Sequence, residues 1–350
     1  MTAASAGQRP AIRVFLSGVQ SVTHLVYASS YLRHLIAHTE ASVTLVDLGV
    51  GRFLGQANVS AQDLHEVLGG GRGLTVVAPE GTARWHSEPG EQCIYMGVGA
   101  PGIKPYVRLR AAQPSRKLPV VVIDEGIGSY GNWRTRRDAG RRQGGHEPWL
   151  SIRALAVGTA TGLLTDERWA LFRQVGADWV VDDRVASTFR AGVTLSLPPA
   201  PVGVFLSQPW VDLGVVTEVT YLEHVREMAN ACRSAGLDFW LRRHPAEPAR
   251  RYAEFKVMPH SGPAELDPDV AGATVVIGAT SSALLNIKAL FGTPAIRVVT
   301  PELSHLDAQL SARQRSLLDA FLPPARPVAA LSAVLTELGR GPQTRCDDLP

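Results

Sequence analysis

The sequence contains little cysteine. Its 350 residues include only three, Cys93, Cys232 and Cys346, and they lie far apart. An odd and sparse set argues against a disulfide framework, and no cluster of histidine and cysteine has the spacing of a zinc site. We therefore expect a reducing compartment, that is, a cytoplasmic protein without disulfides or a bound metal.

Long apolar runs and an excess of one charge are also missing. No stretch of about 18 apolar residues occurs, so no membrane-spanning helix is expected. The N-terminus lacks a charged segment followed by a long apolar run, so no signal peptide is expected. The net charge is only +3, which argues against nucleic acid as a partner. The motifs GxxxxGK[ST] and GxSxG do not occur.

The composition is that of a globular protein, with 45% apolar and 19% charged residues. Short apolar runs recur along the chain and are typical of strands buried on both faces. These predicted strands are Ile12–Leu16, Val43–Val46, Leu74–Val77, Val120–Ile123, Trp179–Val181, Val202–Leu206, Phe239–Leu241, Val275–Ile277 and Ala295–Val299. Amphipathic stretches such as Thr217–Ala235 lie between many of them, which predicts parallel sheets with helical crossovers.

A proline cluster divides the chain. The segment Ser196–Pro201 contains three prolines, which do not fit a helix or a central strand, and a fresh series of strands and helices follows it. We expect one α/β domain at 1–197 and a second at 200–325. Residues 326–350 are expected to form a C-terminal helix, Val328–Leu338, and a polar tail. Two such domains leave a cleft at the carboxyl ends of their strands, where ligands usually bind.

The first candidate motif is a pair of acids. Asp124, Glu125 and Gly126 follow the apolar run Leu118–Ile123, which places them at the carboxyl end of a predicted strand. Adjacent carboxylates repel each other when both are ionised, so one of them is expected to keep its proton to a higher pH and to act as a base. Gly126 would allow close approach of backbone or substrate. The alternative is a strand end with acids that cap the next helix.

The second motif combines two arginines with His-Pro. Arg242, Arg243, His244 and Pro245 follow the apolar run that ends at Leu241. The proline restricts His244 to an extended backbone, and an imidazolium beside arginine is suited to stabilise a departing phosphate. The alternative is a structural His-Pro turn.

The third motif is rich in hydroxyl groups. Gly278–Ser282 follows a predicted strand and opens the predicted helix Ala283–Phe291. Hydroxyls and free N–H groups at the start of a helix can bind an anion. The alternative is that Ser281 only caps the helix.

Two further features support other interpretations. Gly97–Gly102 matches GxGxxG and precedes Asp124 by about the spacing of a dinucleotide-binding fingerprint. Arg134–Arg142 contains five arginines. This stretch is predicted to be either a solvated loop or a basic rim that holds an anionic acceptor or an anionic lipid surface.

The order of these motifs resembles that of the bacterial sialyltransferases, especially the polysialyltransferase-like group. Those enzymes carry an Asp/Glu–Asp/Glu–Gly motif, a His-Pro motif and a serine-rich motif in this order. The corresponding residues here are Asp124–Gly126, His244–Pro245 and Ser281–Ser282, with Ser207 after an intervening strand. The resemblance covers roughly 200–300 and 118–130.

The resemblance implies a GT-B fold, with two Rossmann-like domains whose parallel sheets face a central cleft. It also implies an inverting, metal-independent transfer of sialic acid or a related nonulosonic acid from a CMP-activated donor. Asp124 or Glu125 would then be the base, with Asp124 preferred. His244 would meet the CMP phosphate, and Arg242, Arg243, Ser207, Ser281 and Ser282 would help to bind the donor.

Several alternatives stay open at this point. The donor sugar is sialic acid, Kdo, another acidic sugar or an ordinary nucleotide sugar, and the acceptor is a glycan or a glycolipid. A different class is an NAD(P)-dependent oxidoreductase that uses Gly97–Gly102. A third is a non-catalytic binding module with a GT-B shell.

Overall fold

The computed structural model describes residues 10–49, 51, 59–69, 73–78, 81, 83–195, 198, 200–259 and 262–340. The chain divides into two compact units, one formed by Met1–Gly192 with Ser311–Gln314 and the other by Val193–Leu310 with Arg315–Pro350. Residues 196, 197 and 199 of the predicted linker, Cys346 and the predicted polar tail lie outside the described residues.

The first unit is built on a parallel sheet of six strands. They are β1 (Ala11–Ser17), β2 (Ser42–Asp47), β3 (Leu74–Val77), β4 (Gln92–Val98), β5 (Val120–Ile123) and β6 (Glu167–Trp169). Its helices are α1 (Val22–Ala37), α2 (Ala61–Leu68), α3 (Ile103–Ala112), α4 (Trp133–Arg142), α5 (Trp149–Leu164) and α6 (Asp183–Ala191). The strand order is β3–β2–β1–β4–β5–β6, so the direction of winding reverses between β1 and β4.

Two features of the first unit differ from the sequence predictions. The predicted strand at Trp179–Val181 is not part of the parallel sheet. It belongs to β8 (Asp178–Val181), which pairs with β7 (Phe172–Val175) as an antiparallel hairpin, and Gly176 takes the positive φ of the tight turn. The stretch Arg134–Arg142 is not a loop but most of α4, because Asn132 caps the amides of Arg134 and Thr135 and arginine favours helix.

The second unit contains a parallel sheet of five strands. They are β9 (Val202–Leu206), β10 (Asp238–Arg242), β11 (Val275–Gly278), β12 (Ala295–Val299) and β13 (Arg326–Pro327). The helices that follow are α7 (Glu218–Ser234), α8 (Pro268–Ala271), α9 (Ser282–Phe291), α10 (Ser304–Ala308), α11 (Ala312–Phe321), which begins in the Ser311–Gln314 segment of the first unit, and α12 (Leu331–Arg340). The order β10–β9–β11–β12–β13 reverses between β9 and β11.

The amphipathic pattern of α7 shows how these elements pack. Thr217 caps the helix, and Val225, Met228 and Cys232 are buried on its inner face. A Cβ atom at Gly203 would lie 2.8 Å from Sγ of Cys232, so glycine in β9 lets the helix approach the sheet closely. The predicted helix Thr217–Ala235 is therefore confirmed. Within the described part of the chain, no helix combines the length and the apolar character needed to cross a membrane.

Candidate functional site

The predicted motifs lie at the carboxyl edges of the two sheets. Glu125 follows β5 and His244 follows β10. Each of these strands is one position away from the point where the winding of its sheet reverses. Ligands of open α/β sheets usually bind outside the carboxyl ends of the strands near such points. Both residues are therefore in the region of their sheet where chemistry is expected.

The acid Asp124 is buried. Its side chain is 1% exposed, and Oδ2 accepts a hydrogen bond of 2.7 Å from the hydroxyl of Tyr130. The guanidinium of Arg168 lies 4.0 Å from Oδ1 and covers the ring of Tyr130. Burial raises the pKa of Asp124, and the charge of Arg168 opposes the rise. The burial of Asp124 and its hydrogen bond to Tyr130 favour a supporting role for this acid over the role of base.

The acid Glu125 is exposed and packs over two glycines. A Cβ atom at Gly99 would clash with its carboxylate, and one at Gly128 would lie 2.9 Å from Oε1. This packing removes part of the hydration of the carboxylate. Loss of water raises the pKa of Glu125, and the charge of Arg136 opposes the rise. Arg136 is itself held by a hydrogen bond to the carbonyl of Gly99. A positioned carboxylate with a raised pKa is suited to accept a proton.

Behind Glu125 lies a histidine that the sequence analysis missed. His24, in the first turn of α1, is buried. The backbone N–H of Gln20 donates to Nδ1 over 3.1 Å, and the ring also hydrogen-bonds to the backbone of Glu125. Burial lowers the pKa of His24 to about 4, so the ring is neutral at neutral pH. His24 thus ties the loop after β1 to the loop after β5.

The backbone conformation at position 126 requires glycine. Its φ is 96° and its ψ is −153°, a region that is open to glycine and strained for other residues. The turn that follows folds back so that Oγ of Ser129 accepts a hydrogen bond of 2.9 Å from the N–H of Glu125. The glycine of the acid motif therefore shapes the loop that presents Glu125.

In the second unit, the His244 ring is half-buried. The N–H of Ala246 donates to its Nδ1 over 3.2 Å, which leaves the proton of the neutral ring on Nε2. Burial, together with the charge of Arg243, lowers the pKa of His244 to about 4. In this state the ring can donate a hydrogen bond from Nε2 but is not an imidazolium.

A buried carboxylate fixes the His-Pro loop. Glu247 is 2% exposed and accepts hydrogen bonds from the hydroxyl of Ser207, from the hydroxyl of Tyr252 over 2.7 Å and from the N–H of His244 over 3.2 Å. That same N–H donates to Oγ of Ser207 over 2.9 Å. Ser207 and His244 are therefore brought together, and the hydroxyl of Ser207 supports the loop. Burial raises the pKa of Glu247, and these hydrogen bonds oppose the rise.

The two arginines before His244 have structural contacts. Arg242 is 4% exposed, lies 3.6 Å from Asp267 and donates to the carbonyl of Gly262. Arg243 donates to the carbonyls of His244 and Pro245 over 3.1 and 3.3 Å. Because its guanidinium is buried and paired, the structure favours a structural role for Arg242 over contact with a donor. Arg243 therefore holds the His-Pro loop through Nη1.

The serine motif opens α9 as predicted. Ser281 occupies the N-cap position, but its hydroxyl makes no capping hydrogen bond to the helix. The motif is joined to the loop after β9, since Nε2 of Gln208 donates to the carbonyl of Thr280 over 3.1 Å. The start of α9 is therefore held at the point where the winding of the sheet reverses, with a serine hydroxyl that is not used as the cap.

Next to the serine motif, the second unit has a small, shallow recess. It lies at the carboxyl ends of β9, β11 and β12 and combines apolar side chains with a few polar ones. Its lining includes Trp210, Ala279, Thr280, Arg297 and Asp307. Thr280 and the buried Arg297 both hydrogen-bond to Asp307. An indole beside fixed polar groups suits a planar base with an attached sugar.

The sequence analysis missed His24, Tyr130, Arg168 and Glu247. Only Glu247 left a signal, since it follows His244 by three residues, within reach of the loop's own amides. The other three lie on elements distant in sequence, and only the packing of the first unit brings them next to the acid motif.

The GxGxxG stretch covers the last two residues of β4 and the turn before α3, which is the placement that a dinucleotide site requires. β4 has seven residues. However, the carboxylate of Glu125 packs on Gly99, and a carboxylate at that position repels a pyrophosphate. The prediction of a dinucleotide site therefore receives no support from this loop.

No family model matches the chain, and no curated protein matches it in sequence. The structure is similar to that of an α/β-galactoside α-2,3-sialyltransferase from Photobacterium phosphoreum, with a TM-score of 0.52, 10% identity and coverage of 92% of this chain and 100% of that chain. It is also similar to a UDP-N-acetylglucosamine 2-epimerase from Listeria monocytogenes, with a TM-score of 0.52, 8% identity and coverage of 95% and 91%.

A third similar structure is an Arabidopsis thaliana protein solved with UDP-L-rhamnose, with a TM-score of 0.50, 11% identity and coverage of 98% of this chain and 91% of that chain. The chain therefore has the GT-B fold, which confirms the predicted fold class. At these identities the likeness shows the fold, and function has to be argued from the residues.

Proposed function

We propose that this protein is a glycosyltransferase that moves sialic acid or a related nonulosonic acid from a CMP-activated donor to a glycan or glycolipid acceptor. The transfer inverts the anomeric carbon and needs no metal ion. The observation that carries the proposal is the matching placement of Glu125 and His244, each at the carboxyl end of a strand one position from the reversal of its sheet. In this proposal the first unit supplies the base and the second unit binds the donor.

The donor site is built from the His-Pro loop, the start of α9 and the recess beside it. The base of the nucleoside lies against Trp210, at the edge of this recess. The phosphate lies at the amides and hydroxyls of Ser281 and Ser282, because helix N-termini favour anions. His244 donates from Nε2 to the same phosphate. The buried Glu247 network keeps this loop in place, so the binding groups are arranged before the donor arrives.

The acceptor base is Glu125. Its carboxylate is exposed, fixed over Gly99 and Gly128, and has a raised pKa. A base works best when its pKa approaches the working pH. Asp124 contributes indirectly, since the Asp124–Tyr130–Arg168 cluster anchors the strand end from which Glu125 projects.

The proposed reaction is one displacement. The acceptor hydroxyl attacks the anomeric carbon from the face opposite CMP, and Glu125 takes the hydroxyl proton. The bond between the anomeric carbon and the phosphate oxygen breaks, and its electron pair stays on CMP. The transition state has oxocarbenium character, and the charge that grows on the phosphate is met by His244 and the amides of α9.

The decisive experiment distinguishes donor binding by the second unit from proton transfer by the first. Thermal unfolding of the purified protein is measured in the presence of EDTA with CMP, UDP, ADP or NAD. A ligand at a hundred times its dissociation constant stabilises by about 2.7 kcal/mol. We expect CMP to stabilise best, His244→Gln to abolish the stabilisation and Glu125→Gln to retain it. Release of CMP from CMP-sialic acid in the presence of acceptor should be lost in both variants.

Each other result contradicts a named part of the proposal. Stabilisation by NAD alone would support an oxidoreductase, and stabilisation by UDP alone would support a different donor class. If CMP binds but no transfer occurs with any acidic CMP-sugar, the protein is a binding module. If EDTA abolishes transfer, the reaction is metal-dependent.

A further inference from the structure

Helix α5 is predominantly apolar and yet exposed. Among its 16 residues, the only charged one is Arg153, and only Ala154 is buried. The apolar face of a helix is normally covered by protein or lipid. On its protein side it packs closely on α4, because a Cβ atom at Gly140 would lie 2.8 Å from Cδ2 of Leu150. Its other side has no cover among the residues that the structure describes.

The exposed side forms a continuous apolar stripe. Trp149, Ile152 and Leu163 are 74%, 53% and 78% exposed, and Ala156 between them is exposed as well. Their spacing of three, seven and fourteen residues from Trp149 places them on one face of a helix. Leu155, at the edge of this face, is 47% exposed. This helix therefore presents to solvent the type of stripe that surface helices normally turn inward.

The two helices that carry the stripe have an excess of positive charge. Residues 132–164, which include α4 and α5, contain six arginines and two acids. The acids, Asp138 and Glu147, pair with Arg137 and Arg141, which leaves an excess of positive charge. Arg134 and Arg153 are exposed. An apolar stripe beside arginines complements one surface in particular, the interface of a bilayer that contains anionic lipid.

We infer that the α4–α5 hairpin docks on anionic membranes, with α5 lying in the plane of the interface. An α-helix of this length spans about 24 Å, less than the roughly 30 Å of a hydrocarbon core, so it fits a position along the surface. The Trp149 ring enters at the level of the headgroups, where indoles are enriched. The exposed Arg134 and Arg153 contact the lipid phosphates. This inference is independent of the donor and acceptor proposed above.

The experiment is flotation of the full-length protein with vesicles of phosphatidylcholine, alone or mixed with phosphatidylglycerol. We expect binding to the mixed vesicles only, and weaker binding as salt is added. The combined variant Trp149→Ser, Ile152→Ser and Leu163→Ser should lower the apparent affinity by about tenfold or more. Its matched control replaces three exposed valines outside α5, Val107→Ser, Val175→Ser and Val219→Ser, and should bind like the unchanged protein.

A second variant tests the charges. Arg134→Gln combined with Arg153→Gln should reduce binding to the mixed vesicles while the melting temperature stays the same, because both side chains are exposed. The inference is overturned if the unchanged protein does not float with mixed vesicles, or if the valine control loses as much binding as the α5 variant. It is also overturned if sedimentation shows a dimer that the α5 variant converts to monomer, since a second copy would then cover the stripe.

Discussion

The hydroxyl of Tyr130 donates a 2.7 Å hydrogen bond to Oδ2 of Asp124, and this contact separates the roles of two adjacent acids. Asp124 is enclosed by Tyr130 and Arg168, whereas Glu125, the next residue, extends into solvent over glycine backbone. A strand end turns successive side chains in opposite directions. Thus one carboxylate of the motif anchors the loop and the other is available for chemistry.

Because the two acids have separate roles, Glu125→Gln is predicted to impair activity and Asp124→Asn to impair stability. Glu125→Gln should lower kcat by about 10² to 10⁴ while the melting temperature changes little, because the side chain is exposed. Asp124→Asn should lower the stability, because the buried cluster loses a charged partner. The measurements are initial rates and thermal unfolding of both variants.

The matched control for this pair is Glu66→Gln, an exposed acid on α2, which should alter neither quantity. The opposite pattern, with full activity in Glu125→Gln and a stable but inactive Asp124→Asn, would restore Asp124 as the base.

Binding of CMP should change the titration of His244. In the free protein, burial and Arg243 lower its pKa to about 4. A phosphate near Nε2 favours the charged imidazolium, so the pKa should rise by about one unit or more on binding. NMR titration of the ring with and without CMP measures this, with His244→Gln used to assign the signal. An unchanged pKa in the CMP complex would place the phosphate elsewhere.

Removing the charge of Glu247 should weaken the second unit. In Glu247→Gln the new amide presents N–H groups to the hydroxyls of Ser207 and Tyr252, which both donate to the carboxylate. We expect a loss of about 2 kcal/mol in the free energy of unfolding, together with weaker CMP binding. The control is Glu254→Gln, which breaks the exposed pair with Arg226 and should cost less than about 1 kcal/mol. Equal effects of the two changes would contradict a supporting role for Glu247.

His24 should make the stability fall in mild acid. Its pKa is about 4 in the folded protein, compared with 6.5 for the free side chain. Between these values the unfolded chain binds more protons than the folded one, so the free energy of unfolding decreases as the pH falls. For this group the loss between pH 7 and pH 5 is about 2 kcal/mol. Urea unfolding should show that the free energy of unfolding differs less between pH 7 and pH 5 in His24→Gln than in the unchanged protein. An identical difference in both proteins would show that His24 is not the titrating group.

Much of the fold could be predicted from sequence, because the pattern of apolar residues and the secondary-structure propensities are local properties. All nine predicted strands are strands, and eight of them belong to the two parallel sheets. The ninth, at Trp179–Val181, is as apolar as the others. Its antiparallel pairing depends on the tight turn at Gly176, which a pattern of apolar residues does not report.

The candidate site could be predicted only in part. The positions of the acid and His-Pro motifs follow from their places after strands, which are local features. Whether a side chain at such a position is exposed depends on distant partners: Asp267 for Arg242, and Arg168 for Asp124. A charged residue after a strand therefore predicts the edge of the sheet but not the burial of its own side chain.

The conformation of Gly126 has a consequence for how related sequences are recognised. Its φ of 96° is a demand of the backbone and would persist if both acids before it were replaced. A glycine at this position therefore indicates the conformation of the loop, whereas a carboxylate one residue earlier indicates that the loop carries a base. A related sequence that keeps the glycine and lacks the carboxylate would therefore have the same loop without the proposed base.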